Sequence, residues 1–236
     1  MFWVLIFAGF GLLSLAHVAP FPFVLDLVAP GEVLWSMPEG DGSPMVYLTF
    51  DDGPNPSVTP KLLDVLRKHE VTATFFVIDR HITERTAEIV RRMFNEGHAI
   101  GLHTHTRRLM MLPPSELAHR LQLAMDRIEQ LTGGIPCRAF RPHGGWRSGQ
   151  MYEALSQIDF VLVGWGWSLW DFNWYRPPDP AALAKRLARR VSDGDIIVMH
   201  DGHHEDPKAD RRYAVEATAL LIQKLRAARF TFGTIC

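Results

Sequence analysis

From residue 45 onward, short apolar and β-branched runs alternate with amphipathic stretches, and this alternation narrows the possible folds to βα units around a largely parallel sheet. The runs at 46–50, 73–78, 99–102, 139–141, 160–165, 196–199 and 230–234 read as strands. The helices between them carry clear punctuation. Thr59-Pro60 reads as an N-cap and first-turn proline, with Leu62, Leu63, Val65 and Leu66 as the apolar face behind it. A second helix over about 83–95 stops at Gly97. A third follows Ser115, aligns Leu117, Leu121, Ala124, Ile128 and Leu131 on one stripe, and ends at Gly133. Asp179-Pro180 opens a fourth in the same way as the first. The pattern predicts an α/β fold, a distorted (β/α) barrel of about seven parallel strands, and an open doubly wound sheet would give a similar string.

The 236 residues, 47% of them apolar, suffice for one sizeable core. Residues 2–25 contain no Asp, Glu, Lys or Arg, a run longer than the roughly 18 residues that suggest a membrane span. Three readings stay open for this segment: a retained anchor, a cleaved export signal, or buried core. The expected organisation is therefore an N-terminal apolar segment at 1–25, a Pro/Gly-rich linker at 26–44 and one folded domain at 45–236. Either of the first two readings places the domain at the cell envelope, membrane-anchored or secreted. With 25 basic against 26 acidic residues there is no overall field to attract nucleic acid, so none is expected as a partner. The sequence leaves the oligomeric state open.

Cys137 precedes a predicted strand and Cys236 follows another. In parallel strands those positions fall at opposite ends of the sheet, roughly 15 Å apart, so no internal disulfide is expected.

Unusual polar residues recur at the C-terminal ends of the strands: Asp51-Asp52, His103, Arg141, the segment 167–174 and His200. Those ends converge on one face of a parallel α/β sheet, where active sites form. Adjacent carboxylates repel, and placing Asp51 and Asp52 side by side invites a cation or a proton; a solvated turn is the plainer reading, given Gly53-Pro54.

The complete run Thr49-Phe50-Asp51-Asp52-Gly53-Pro54 after an apolar strand resembles the first motif of the polysaccharide deacetylase family, the NodB-homology domain of carbohydrate esterase family four. Four further segments follow the family's order: 97–104, Phe140-Arg141-Pro142, 167–174 and 197–201. The resemblance implies a metal-dependent hydrolase that removes N-acetyl groups from amino sugars of a poly- or oligosaccharide. Asp51 would be the general base and His200 the general acid, Arg141 would hold Asp51 in place, and Asp52 and His103 would bind a divalent metal, with zinc the expected ion. Arg141 beside Asp51 is expected to keep that carboxylate ionised. Trp167, Trp170 and Trp174 would offer an aromatic wall to the N-acetylated glycan, with core packing as the alternative.

Three departures qualify this pattern. Arg107 occupies the place of the family's second metal histidine, and a guanidinium has no lone pair to donate. His105 is the expected substitute, with another or no third ligand as the alternative; His143, His203 and His204 also sit on strand-end loops. The third motif reads Arg141-Pro142-His143-Gly144-Gly145, where the backbone N–H near Gly144 would serve a developing oxyanion. Asn173 stands where the family has aspartate, so Asp171 is expected to orient Arg141. A non-catalytic carbohydrate-binding relative and a metal-dependent amidase on a non-sugar substrate are the competing functions.

Overall fold

The computed structural model describes residues 33–40, 42–166, 169–171 and 178–236. The apolar segment 1–25 and the tryptophans Trp167 and Trp174 lie outside the described residues. Among the described residues no helix is long and apolar enough to cross a membrane.

Eight strands form one sheet: β1 (Val33–Leu34), β2 (Met45–Asp51), β3 (Thr74–Ile78), β4 (Ala99–His103), β5 (Ala139–Arg141), β6 (Val161–Val163), β7 (Ile196–His200) and β8 (Thr231–Gly233). The order is β1-β6-β5-β4-β3-β2-β7, every pairing is parallel, and β8 joins the start of β2. Among the described residues six α-helices cover the outside: α1 (Thr59–Lys68), α2 (Ala87–Asn95), α3 (Pro114–Thr132), α4 (Gly149–Gln157), α5 (Pro180–Ala188) and α6 (Arg212–Ala227). The sheet curls until the chain after β6 reaches β7, where Gly166 N–H donates to the Ile196 carbonyl and Val198 N–H to that of Leu169, both at 2.9 Å. All seven expected strands are present, and the curled half-barrel is the expected alternative to an open sheet.

Period-two alternation sorts the strand residues into two layers. Val46, Leu48, Phe50, Phe75, Val77, Ile100, Leu102, Phe140, Ile197 and Met199 face the helices in the main core. Tyr47, Phe76, Ala139, Val163, Ile196 and Val198 fill the concave side. Thr49, Asp51, His103, Arg141 and His200 share the parity of this inner set, so the same alternation that builds the core aims them into the concavity.

Local punctuation follows the sequence better at helix ends than at helix starts: α2 begins at Ala87 rather than near 83, and α3 begins at Pro114, so Ser115 lies inside it. Asp179 caps α5 by accepting from Ala182 N–H at 2.6 Å, and Gly133 ends α3 in the left-handed region at φ 74°. Thr59 is not the cap of α1; it is the first helical residue, after Val58. Asn55 takes over the turn, its Oδ1 accepting from the N–H groups of Ser57 and Val58. This frees the Thr59 hydroxyl to accept from Asn55 N–H and to donate to Asp201.

The two cysteines are joined, with Cα atoms 5.8 Å apart, contrary to the expectation from strand ends. That expectation set the end of β8 at the top of the sheet. In fact β8 pairs low, Gly233 opposite Tyr47 near the start of β2. The tail then runs beneath the sheet, where Ile235 N–H donates to the Thr74 hydroxyl at the foot of β3. Cys236 thereby arrives beside Cys137 at the foot of β5.

Candidate active site

Asp51 ends β2 opposite His200 of β7, and His103 ends β4 opposite Arg141 of β5. Alternation alone would turn Asp52 away from Asp51. The backbone breaks that alternation: Asp52 adopts φ 71°, a left-handed conformation uncommon for a residue with a side chain and found preferentially at functional sites. The turn is pinned by His81 Nδ1, 3.1 Å from the Asp52 carbonyl, and by Ile78 N–H donating to the Gly53 carbonyl at 2.9 Å. Gly202 is required beside it, because a Cβ there would stand 2.1 Å from the Asp52 carbonyl oxygen. Both carboxylates consequently face the same cleft.

Arg141 is fully buried and spends its guanidinium on four acceptors: the Val163 and Gly164 carbonyls, the Thr49 hydroxyl, and Asp51 Oδ1 at 2.7 Å. Its guanidinium carbon lies 4.1 Å from the Phe76 ring centroid. Gly101 makes room for that ring, since a Cβ would come within 3.0 Å of it. Burial raises the Asp51 carboxyl above its ordinary value, and the opposing pull of Arg141 and then His200 does not cancel the rise. Arg141 thus fixes the carboxylate in place without holding it in the usual ionisation range, as the sequence had suggested it would.

Asp171 does not reach Arg141. Its Oδ1 lies 2.6 Å from His200 Nδ1, and its Oδ2 accepts from His200 N–H and from the Tyr213 hydroxyl. Burial by itself lowers His200, but Asp171, followed by Asp52 and Asp51, raises it to about 9. The ring is therefore an imidazolium at neutral pH, and His200 lines the cleft.

Asp52, His103 and His143 each bring one ligand atom within 4.8 Å of the others. His103 Nε2 is 3.4 Å from Asp52 Oδ1, and that oxygen is buried without a hydrogen-bond partner. Burial raises the Asp52 carboxyl to about 6 and lowers His103 well below its ordinary value; burial and then His103, His204 and Arg107 press His143 down to about 3. One orphaned carboxylate oxygen and two neutral imidazoles suit a divalent cation. His105 is not in this cluster. It lines a neighbouring cavity with Arg80, Leu109 and Arg120, and the loop after β5 supplies His143 instead.

The cleft has a volume of about 450 Å³, within the usual range for a ligand site. Asp51, Asp52, His103 and His200 line its floor, and Arg107, Gly144, His203, His204 and Arg211 stand around them. Its described tryptophan is Trp165, which reads in sequence as an ordinary strand residue. Trp170 pairs with Val198 and packs against the inner layer. Gly144 lies on the cleft at φ 63°. Asp201, buried beneath the turn, accepts from Thr59 and is raised to about 7 by burial.

A sequence model described as polysaccharide deacetylase matches residues 39–163. The chain belongs to the polysaccharide deacetylase family. It is 36% identical over 83% of its length to the chitooligosaccharide deacetylase of Sinorhizobium fredii, covering 92% of that protein. It is 28% identical over 89% of its length to the peptidoglycan-N-acetylglucosamine deacetylase of Bacillus cereus, covering 94% of it. Among solved structures, a family 4 acetyl xylan esterase from Clostridium thermocellum in complex with a cobalt ion superposes with a TM-score of 0.71 at 30% identity, over 81% of this chain and 88% of the esterase. The polysaccharide deacetylase assignment makes the chain a hydrolase of carbon–nitrogen bonds other than peptide bonds.

Proposed function

We propose that this polysaccharide deacetylase removes N-acetyl groups from amino sugars of a glycan and depends on a divalent metal held by Asp52, His103 and His143. The observation that carries the reading is the division of labour on the cleft floor. Asp51 is clamped by Arg141, His200 is charged by Asp171, and a separate carboxylate with two imidazoles, from the ends of β2 and β4 and the loop after β5, groups ligand atoms that could hold a cation.

A divalent metal held by Asp52, His103 and His143 would supply Lewis acidity for the acetamide carbonyl and for a water. Asp51 takes the proton of the attacking water on Oδ2, because Arg141 occupies Oδ1. His200 donates from Nε2 to the departing nitrogen, its other nitrogen being held by Asp171, and so converts a poor leaving group into an amine. The Gly144 region is proposed to offer backbone N–H to the developing oxyanion. Zinc fits a donor set of one oxygen and two nitrogens with open positions. Export to the cell envelope or beyond is supported by the uncharged run at 2–25 and by the Cys137–Cys236 bond, since disulfides persist in oxidising compartments.

The test is acetate release from an N-acetylglucosamine oligomer by zinc-loaded protein. Asp51→Asn is expected to lower kcat by about 10²–10⁴ while zinc stays bound, as for loss of a general base. Unchanged acetate release in that variant overturns the assignment of the base.

A further inference from the structure

We infer that Asp201, which takes no step in the reaction, is a positioning residue: its carboxylate, set by Thr59, presses on Gly53 and locks the turn that carries Asp52 into the cleft. The inference rests on the reading of Asp52 as a metal ligand and adds to it what holds that ligand in place.

Asp51 and His200 are register partners on β2 and β7, and beyond them each strand continues into the same dipeptide, Asp52-Gly53 on one and Asp201-Gly202 on the other. The two dipeptides pack reciprocally. A Cβ on Gly53 would stand 2.6 and 2.8 Å from the two Asp201 carboxylate oxygens, and a Cβ on Gly202 would stand 2.1 Å from the Asp52 carbonyl oxygen. Each glycine therefore leaves room for a group of the other strand's aspartate, and a side chain at either place would part the two turns.

Asp201 is fully buried, and its two oxygens are used unequally. Oδ2 accepts from the Thr59 hydroxyl, which itself accepts from Asn55 N–H at 2.8 Å, so the carboxylate is tied to the first residue of α1. Oδ1 is buried with no hydrogen-bond partner. An unpaired buried oxygen opposes folding, and its role here is steric, filling the space that Gly53 leaves open. Asp52 sits at φ 71°, a conformation that a residue with a side chain keeps only where its surroundings hold it. His81 holds the Asp52 carbonyl and Ile78 N–H holds that of Gly53, while Asp201 bears on the same turn from β7. Because Asp201 directly follows His200, this one contact ties the strand end that carries the metal ligand to the strand end that carries the acid.

Thr59→Val removes the hydroxyl and keeps the volume, whereas Thr59→Ser keeps the hydroxyl. Two readouts are needed: zinc affinity by calorimetry, and amide hydrogen exchange at Ile78, whose N–H is bonded to the Gly53 carbonyl and so reports the turn without any metal. The Ala99 N–H, bonded to the Ala73 carbonyl in the same sheet, is the reference. Thr59→Val is expected to weaken zinc binding about tenfold, as for loss of a group that orients a ligand, and to speed exchange at Ile78 about tenfold relative to Ala99. Thr59→Ser is expected to match wild type in both. Asp201→Ala removes the pressing group itself and is expected to repeat the Thr59→Val result, which keeps the test open if Thr59→Val does not fold. Unchanged zinc affinity in these variants, or equal acceleration at Ile78 and Ala99, overturns the inference. If wild-type protein binds no zinc, the reading of Asp52 as a ligand falls instead, and the ratio of exchange at Ile78 to that at Ala99 still decides whether Asp201 locks the turn.

Discussion

Replacing Asp171 with asparagine isolates the charge that keeps His200 protonated. The carboxylate lies 2.6 Å from Nδ1 and also accepts from the His200 N–H and the Tyr213 hydroxyl, so asparagine keeps the size and some of the hydrogen bonding but not the charge. Burial alone places His200 below 6.5, and Asp171 is the largest of the contributions that lift it to about 9. The rise from 6.5 to about 9 is worth about 3 kcal/mol in favour of the imidazolium. Without it His200 is expected to titrate lower, with Asp52 and Asp51 still opposing burial. Loss of the whole net rise would take the protonated fraction at about pH 8 from about nine-tenths to a few hundredths, about thirtyfold in kcat/KM; the expected outcome is a fall of kcat/KM in that direction with the alkaline limb moved down. The same pairing stabilises the fold. Because the folded value is raised, this stability is fully present below 6.5 and is lost as pH rises through about 9. Two measurements check the reasoning: the alkaline limb of the pH–rate profile, and the imidazole ¹⁵N titration of His200, which needs no turnover. A limb that stays near 9 in Asp171→Asn, with an unmoved His200 resonance, refutes the role given to Asp171.

Two other perturbations read different parts of the molecule. His143→Ala should weaken zinc binding by more than the ~10–100-fold typical of losing an outer-shell partner, while His105→Ala should leave it unchanged; calorimetry with zinc distinguishes them, and equal losses would contradict the cluster as assigned. Reduction of Cys137–Cys236, which spans a separation of 99 residues, should cost about 2–5 kcal/mol of stability in denaturant titrations, and a difference below about 1 kcal/mol would show that the tail is held by its backbone contacts instead.

The fold was legible because its signal is local and repeated. Each strand is a short apolar run, and helix ends such as Asp179 and Gly133 act through neighbours within four residues. The floor of the site was equally legible: Asp51, Arg141 and His200 occupy inward parities at strand ends, so finding the strands already placed them. The helices α4 and α6 and the disulfide were not. Cys236 meets Cys137 only because β8 pairs low on β2, and sequence spacing carries no register for a strand that ends a chain. The partner of Asp171 was missed for a related reason. Arg141 and His200 both lie near strand ends, and only the bridging of the chain after β6 to β7 puts Asp171 beside the histidine.

The exchange at Arg107 shows why ligand spacing along the chain is a weaker guide than adjacency in the sheet. His103 and Arg141 are register partners on neighbouring strands, so a residue two positions beyond Arg141 can stand as near to His103 as one four positions beyond His103 itself. His143 uses that equivalence, and its ring centroid lies 6.1 Å from that of His103. On the proposed reading the loop after β5 supplies the imidazole, and position 107 need not provide a ligand. An arginine there costs no ligand atom, and its charge rests at the rim on Gly144, one residue beyond His143. The same short segment that carries His143 therefore also lies against the Arg107 guanidinium. The equivalence is testable: Arg107→His in a His143→Ala background is expected to recover zinc affinity in calorimetry, and no recovery would refute it.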